Sequence, residues 1–448
     1  MKRIVQRHAH LEGARDVFVV EALAKELNPE WVRDVLRECD RESIRERLLP
    51  ATLVVWLVIL LGLFRRESYF NLLEKVDGAL WTFQHWPKGP PTTRALTKAR
   101  DRLGVEPMKK LHERAAREWV KRHSGLLFQG RRVYACDGST YKTPDTDKNA
   151  RAFGRPGASR GRAAYPQMRA VTLTDVGTRI RVAERHGPYG TGEIHLARRL
   201  LPEIPPGSLV LFDRNFLAYD LLWDLHRSGS DFVVRVKEGV RPRLVRRIGP
   251  GDAIVEIDIP RQPYRKQRPD MPRTWRLRMI TYRPEGSSET FRIFTTLLDL
   301  EVPSNELAQL YHNRWEEESA TDELKTHLCD GSTVNRAVVF RSKTPERVEQ
   351  EWYGLLLAQN AVHATMDTAA ATHQKSPRRL SFTSALERVR EAVYEMSRLP
   401  THLLFRPYRA MLKKILRATV PLRPNRKNPR CVRIKMSKYP LKENRHVA

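Results

Sequence analysis

Four residues within 311–325 combine side chains able to act on phosphate: Tyr311, Arg314, Glu318 and Lys325. The stretch contains no Pro or Gly and is rich in Glu, Ala, Leu and Lys, so it predicts one helix. At about 100° per residue the four fall near 0°, 300°, 340° and 320° on the wheel, a single stripe. Ala320, Leu324 and Leu328 fall on another side and can face a core. One carboxylate flanked by a phenol and two cations suits a metal ligand ringed by phosphate contacts. The plain alternative is a solvated face with i,i+4 charge pairing. Asp322, at about 20°, shares the stripe, so helical geometry alone leaves both acids open.

Two further acids stand at the ends of apolar runs. Val133-Tyr134-Ala135-Cys136 leads into Asp137-Gly138-Ser139, and Leu209-Val210-Leu211-Phe212 leads into Asp213-Arg214-Asn215. A strand-end Asp often serves only as a turn or helix cap. The separations are 213 − 137 = 76 and 318 − 213 = 105 residues, so only a fold can bring the three together. Clustered carboxylates repel unless cations neutralise them. Two hard divalent ions about 3.5–4 Å apart do so; one activates the attacking water or hydroxyl, the other stabilises the leaving oxygen at phosphorus.

The elements that must position these groups change character along the chain. Up to about residue 124 the pattern is helical, over 17–27, 31–39, 42–49, 51–64 and 107–123. The apolar run 51–64 is short of the ~20 residues that cross a bilayer, so it predicts a buried helix. Pro90-Pro91 lead into a short basic helix with Thr92 or Thr93 to cap it and Gly104 to stop it. Carrying Arg94, Lys98, Arg100 and Arg102, it could be the recognition helix of a helix-turn-helix or a basic surface helix. From residue 133 strands dominate: 133–136, 170–173, 179–182 and 208–212, with a helical stretch near 193–201. The Arg- and Gly-rich loop 149–162 lacks a Lys-Ser/Thr ending and is not a nucleotide-binding P-loop. A block of strands follows at 232–237, 254–259, 275–282 and 291–297. Helices then cover 346–370 and 383–397.

Composition narrows the partner. The 448 residues exceed one typical domain, and the formal charge of +29 favours a polyanion over a generic metabolic role. Residues 401–448 carry 14 Lys or Arg and one acid, Glu443, a tail suited to nucleic acid, or merely to solubility. The four cysteines show no paired spacing, which argues against a zinc module or a disulfide framework. With no signal peptide in view, a soluble cytoplasmic protein is expected.

The spacing Tyr-x2-Arg-x3-Glu-x6-Lys resembles that of the DDE transposases of bacterial insertion sequences, specifically the insertion-sequence-four group. Asp137 and Asp213, with their neighbours 134–139 and 213–216, are similar to the first- and second-acid motifs of that family. Residues 149–156 resemble the segment after the first acid, and 45–104 the family's N-terminal domain. The resemblance implies an α/β ribonuclease-H-like catalytic core with a β-rich insertion, an N-terminal helical domain and a basic helical C-terminus. It implies domains at 1–125 (helical, DNA-binding), 126–230 and 301–375 (core), 231–300 (insertion) and 376–448 (basic C-terminal region). It implies that Asp137, Asp213 and Glu318 are catalytic and bind two Mg²⁺ ions, with Mn²⁺ as substitute, and that Tyr311, Arg314 and Lys325 hold DNA phosphates. Only Glu318, not Asp322, sits at the motif position. The implied reaction is cleavage at the terminal inverted repeats followed by attack of the 3′-hydroxyl on target DNA. Relatives pass through a hairpin, with an aromatic holding a flipped base, and Trp275 is a candidate for that role or a strand-face core residue. A homodimer on paired double-stranded ends, with no membrane, is the implied assembly. A metal-dependent nuclease without strand transfer, or a DNA-binding regulator derived from a transposase, is the alternative reading.

Overall fold

The computed structural model describes residues 20–43, 49–75, 91–123, 125–158, 161–262, 266, 268–284, 289–328 and 340–420. The helix expected over 42–49 falls mostly outside these residues, and the basic tail beyond 420 wholly so.

The N-terminal third is helical. In α1 (Pro29–Glu38) the Asn28 side chain accepts the Glu30 N–H at 3.0 Å, and Pro29 is pre-set for the first turn. Every residue from Leu53 to Leu63 of α2 (Ala51–Leu63) is buried. No helix among the described residues is long and apolar enough to cross a membrane. The Thr92 hydroxyl caps α3 (Thr93–Leu103) by accepting the Ala95 N–H at 3.2 Å, and Gly104 ends it at φ +73°. A 17-residue helix, α4 (Glu106–Arg122), leads towards the sheet.

Next comes an antiparallel meander, β1 (Arg131–Lys142), β2 (Gln167–Asp175) and β3 (Arg181–Pro188). After α5 (Glu193–Arg198) the chain returns in β4 (Leu209–Phe212), parallel to β1. After α6 (Tyr219–Arg227) it adds β5 (Asp231–Arg235), parallel to β4. Then β6 (Arg243–Gly249), β7 (Asp252–Asp258), β8 (Thr274–Tyr282) and β9 (Phe291–Thr295) pair antiparallel, with β9 joined to β5. The resulting order is β3-β2-β1-β4-β5-β9-β8-β7-β6, one mixed sheet in an α/β fold. The strands predicted over 232–297 therefore continue the main sheet, and the first of them is an interior strand.

The last third is helical: α7 (Ser304–His312), α8 (Trp315–Asp322), α9 (Pro345–Ala371), α10 (Phe382–Met396) and α11 (Phe405–Arg417). Alternation along the central strands sorts the layers. Tyr134, Cys136, Val210 and Phe212 cluster with Leu196, Leu221 and Leu225 of α5 and α6. Val133, Ala135, Leu209 and Leu211 cluster with Leu307, Leu310 and Tyr311 of α7. A third cluster joins α2, α4 and α9 through Trp56, Trp119 and Trp352. There α2 and α9 nearly touch: a Cβ on Gly62 would lie 2.7 Å from the Gly354 carbonyl oxygen.

Three sequence expectations are corrected. The single helix over 311–325 is broken: Asn313 and Arg314 bond to carbonyls three residues back, and a π-helical turn, Glu323–Leu328, follows α8. Asn is a weak helix former, and its side-chain oxygen is drawn off by Arg378 at 2.9 Å. Asp137 does not end its strand, because β1 keeps pairing with β2 to Lys142. Within α3, Arg100 is not available to a DNA groove. It is buried and donates to Gln350 at 2.6 Å, Tyr69 at 3.0 Å and the Arg347 carbonyl at 2.9 Å, while Arg94, Lys98 and Arg102 stay exposed.

Candidate active site

The two aspartates meet across parallel strands. In the β1–β4 register Cys136 stands opposite Phe212, so Asp137 and Asp213 each follow the last paired residues of the two parallel strands. Both continue the face of Ala135 and Leu211, which α7 covers. The run Asp137, Ser139, Tyr141 carries this face along β1.

Helix α8 crosses the same face. Arg314, in the break before it, is 5% exposed and donates from Nη2 to Glu318 Oε1 at 2.8 Å. Its guanidinium lies 5.9 Å from the Tyr311 ring centre. Burial opposes the charge on Arg314, but Tyr311, Glu318 and Asp213 hold it charged. Burial pushes the Asp137 carboxyl up to about 7; Glu317 and Glu318 add to the rise, while Arg314 and the Gly138 N–H oppose it. Burial likewise lifts the Tyr311 phenol to about 12. Arg314 is therefore the cation around which Asp137, Asp213 and Glu318 are gathered. Lys325, in the π-helical turn, donates to the Ser139 hydroxyl, and its Nζ lies 4.7 Å from the Tyr141 ring centre. All six residues singled out from sequence thus border one patch of β1, β4 and α8.

Buried donors are left over there. The Arg314 Nε and Nη1 make no well-formed hydrogen bond, and the Tyr311 hydroxyl has the Arg314 guanidinium beside it. Buried donors without partners cost free energy, and guanidinium N–H groups match phosphate oxygens. Asp322 separates from Glu318: it is exposed and accepts the Thr326 hydroxyl at 2.8 Å. Trp275 is 6% exposed and sits edge-on to Trp223 and Phe232 at 5.3 and 5.5 Å, a core residue beneath α6. Glu317 was not singled out from sequence, yet it is 1% exposed and accepts from Thr172 at 2.6 Å. A wheel of one helix cannot reveal such a partner, since the threonines lie on a strand 145 residues away in the chain. A Thr-x-Thr pair beside the first acidic strand was the available signal.

The class of protein follows from the family comparisons. A model described as the transposase DDE domain matches residues 128–361, more than half of the chain, and the insertion element 4 transposase N-terminal model matches 18–113. The chain belongs to the insertion element 4 family of DDE transposases, enzymes of DNA cleavage and transfer. It is 28% identical over 442 residues to transposase InsG for insertion sequence element IS4 of Escherichia coli (strain K12), covering 95% of each chain. Among solved structures it is similar to a cryo-EM structure of the piggyBac transposase synaptic complex with hairpin DNA. The TM-score there is 0.45 at 10% identity, covering 93% of this chain and 89% of that one.

Membership of a DDE family implies dependence on a divalent metal. Asp137, Asp213 and Glu318 offer only carboxylate oxygens, the donor type that hard divalent cations take. Among the described residues no three His, Cys, Asp or Glu side chains cage an ion as they lie, with Glu318 turned to Arg314. The donor chemistry fits, and Glu318 engages Arg314 through one of its two oxygens.

Proposed function

We propose that the chain acts by cut and paste. It binds the terminal inverted repeats of its insertion sequence, cleaves phosphodiesters at the element ends and joins the freed 3′-hydroxyl to target DNA, with a hairpin on the element end as the route through the second strand. What supports this reading most is the convergence of Asp137, Asp213 and Glu318 on Arg314. The strand order β3-β2-β1-β4-β5, three antiparallel strands then two parallel ones, supports a ribonuclease-H-like core. On this reading residues 1–125 are the N-terminal helical DNA-binding domain, and 126–230 and 301–375 are two parts of the core. The insertion, expected over 231–300, starts after the core strand β5 at residue 236 and runs to 300, and 376–448 is the basic C-terminal region.

Asp137, Asp213 and Glu318 would hold two Mg²⁺ ions, or Mn²⁺ in their place. Bound there, the metal activates the attacking hydroxyl and stabilises the leaving oxygen. The remaining steps belong to the chain's own side chains. Arg314 turns its Nε and Nη1 to a phosphate at the element end and releases Glu318 to the aspartates. Tyr311 donates its buried hydroxyl to the same backbone, and Lys325 supplies a point charge beside Asp137. Two ends must react in concert, so a homodimer on paired double-stranded DNA in the cytoplasm, at the nucleoid, is the working assembly.

The test is cleavage of a duplex carrying the inverted repeat that flanks the reading frame. Asp137→Ala, Asp213→Ala and Glu318→Ala are each expected to abolish Mg²⁺- or Mn²⁺-dependent cleavage while leaving end binding intact. Full cleavage by any one of them removes that residue from the site.

A further inference from the structure

Glu317 precedes Glu318 on α8 but turns into the sheet. Its Oε1 accepts the Thr172 hydroxyl at 2.6 Å and the Thr321 hydroxyl at 3.3 Å, and the Thr174 hydroxyl donates to its Oε2. Arg181 of β3, 0% exposed, brings Nη2 within 3.6 Å of Oε1 and donates to Thr321 at 2.8 Å. Thr172 stands directly opposite Asp137 in the β1–β2 ladder, and Thr174 opposite Ala135. The carboxylate that pins α8 therefore sits one strand over from the first aspartate.

We propose that Glu317 is a positioning residue which, anchored by Thr172, Thr174 and Arg181, fixes the rotation of α8 so that Glu318 projects over Asp137 and Asp213. The proposal rests on the reading of those three carboxylates as the metal site. Helix α8 needs such an anchor. It has eight residues, a break at one end and a π-helical turn at the other, and Ala320 is its one buried apolar residue. Apolar packing on a single methyl does not fix a rotation. Arg179, at the β2–β3 turn, completes the hold by donating to Glu316 at 2.5 Å and to Glu323 at 2.9 Å, on either side of Glu317. With a helix radius of about 5–6 Å including side chains, a turn of about 20° moves the Glu318 carboxylate by roughly 2 Å. Ligand distances in metal sites are held within about 0.2 Å, and a misplacement of about 1 Å can cost about 100-fold in rate.

The experiment uses the full chain and Mn²⁺ alone as the probe. Removing Glu317 by itself would strand a buried Arg181, so the pair is replaced together in Glu317→Leu/Arg181→Met, a change that often leaves stability unharmed. The double variant is expected to melt near the wild-type temperature and to bind end duplex normally without metal. Its Mn²⁺ affinity, measured by calorimetry, should fall about 10-fold or more, and end cleavage about 100-fold. Wild-type Mn²⁺ affinity and cleavage in the folded double variant overturn the proposal. Should that variant not fold, Thr172→Val/Thr174→Val keeps the ion pair and removes only the hydroxyls. It too should weaken Mn²⁺ binding, and unchanged affinity there overturns the proposal equally. Asp137→Ala separates the two levels. If it abolishes Mn²⁺ binding while the anchor variants do not alter it, only the anchoring role fails; if it too leaves Mn²⁺ binding unchanged, the site reading itself fails.

Discussion

Arg314 neutralises the acids that the proposed reaction would need free. It bonds Glu318 at 2.8 Å and faces Asp213 and Asp137, so in the metal-free protein it is the resident counter-ion of the site. Its Nε and Nη1 make no well-formed hydrogen bond, and the Tyr311 hydroxyl lies against it. This makes Tyr311→Phe informative. Removing a hydroxyl that lies against Arg314 should shift the melting temperature of the DNA-free protein by no more than the equivalent of about 1 kcal/mol. The same change should weaken the complex with end duplex if that hydroxyl meets a phosphate. Thermal melts with and without duplex decide it: a loss in the complex alone supports phosphate contact, and equal effects in both remove it. Arg314→Gln should cost more affinity and flatten the salt dependence of end binding by about one unit of slope.

The broken helix shows what was legible in sequence and what was not. Period and composition predicted the helical character of 311–325, and Ala320, Leu324 and Leu328 do face the core. The contact of Arg378 with Asn313 at the break and the anchoring of Glu317 on strand threonines both join distant parts of the chain, and no local pattern carries them. The strands of the sheet were legible because their apolar runs are short and bounded by turns, whereas the exposed β6, with Arg243, Arg246 and Arg247, gave no such signal. Helix α9 adds a buried polar anchor of its own. Trp352 donates to Glu184 at 2.9 Å and Tyr353 at 2.6 Å, and His186 lies 3.0 Å from the same carboxylate. Burial pushes Glu184 upward, but the charge of His186 and these hydrogen bonds bring it down to about 2. Burial opposes charge on His186, and Glu184 overrides it, raising the imidazole to about 10. The lowered Glu184 contributes stability above its ordinary value near 4.5, lost as pH falls through about 2. The raised His186 contributes stability in full below its ordinary value near 6.5, lost as pH rises through about 10. Between those limits on the alkaline side the melting temperature should decline steadily, and His186→Gln should flatten that decline. Parallel curves for the two proteins would show that the pair adds nothing to the docking of α9.

At the scale of the whole molecule the charge of +29 must act from somewhere specific, and α11 is one such place. Arg406, Arg409, Lys413, Lys414 and Arg417 are all exposed, while Met411, Ile415 and Leu416 face the core. At about 100° per residue Arg406, Arg409, Lys413 and Arg417 lie within roughly 80° of one another, a stripe about 16 Å long. No ion pair to a described residue neutralises any of them, and Arg409 only rests over the exposed ring of Phe405 at 5.3 Å. The 28 residues beyond Val420 add nine Lys or Arg and one acid, so the tail cannot neutralise the stripe by charge; a polyanion can. Replacing the four stripe residues with Gln should leave the melting temperature unchanged, since exposed positions away from special contacts rarely matter by more than about 0.5 kcal/mol. Binding to a duplex of unrelated sequence should weaken, and the slope of log affinity against log salt should shrink by roughly 3–4, about 0.9 for each phosphate that a stripe cation would otherwise neutralise. Cleavage of short end duplexes, which the proposed function assigns to Asp137, Asp213 and Glu318, should persist. Titrations over a range of salt concentrations read this directly: a slope equal to that of the unmodified protein would mean that α11 never meets DNA.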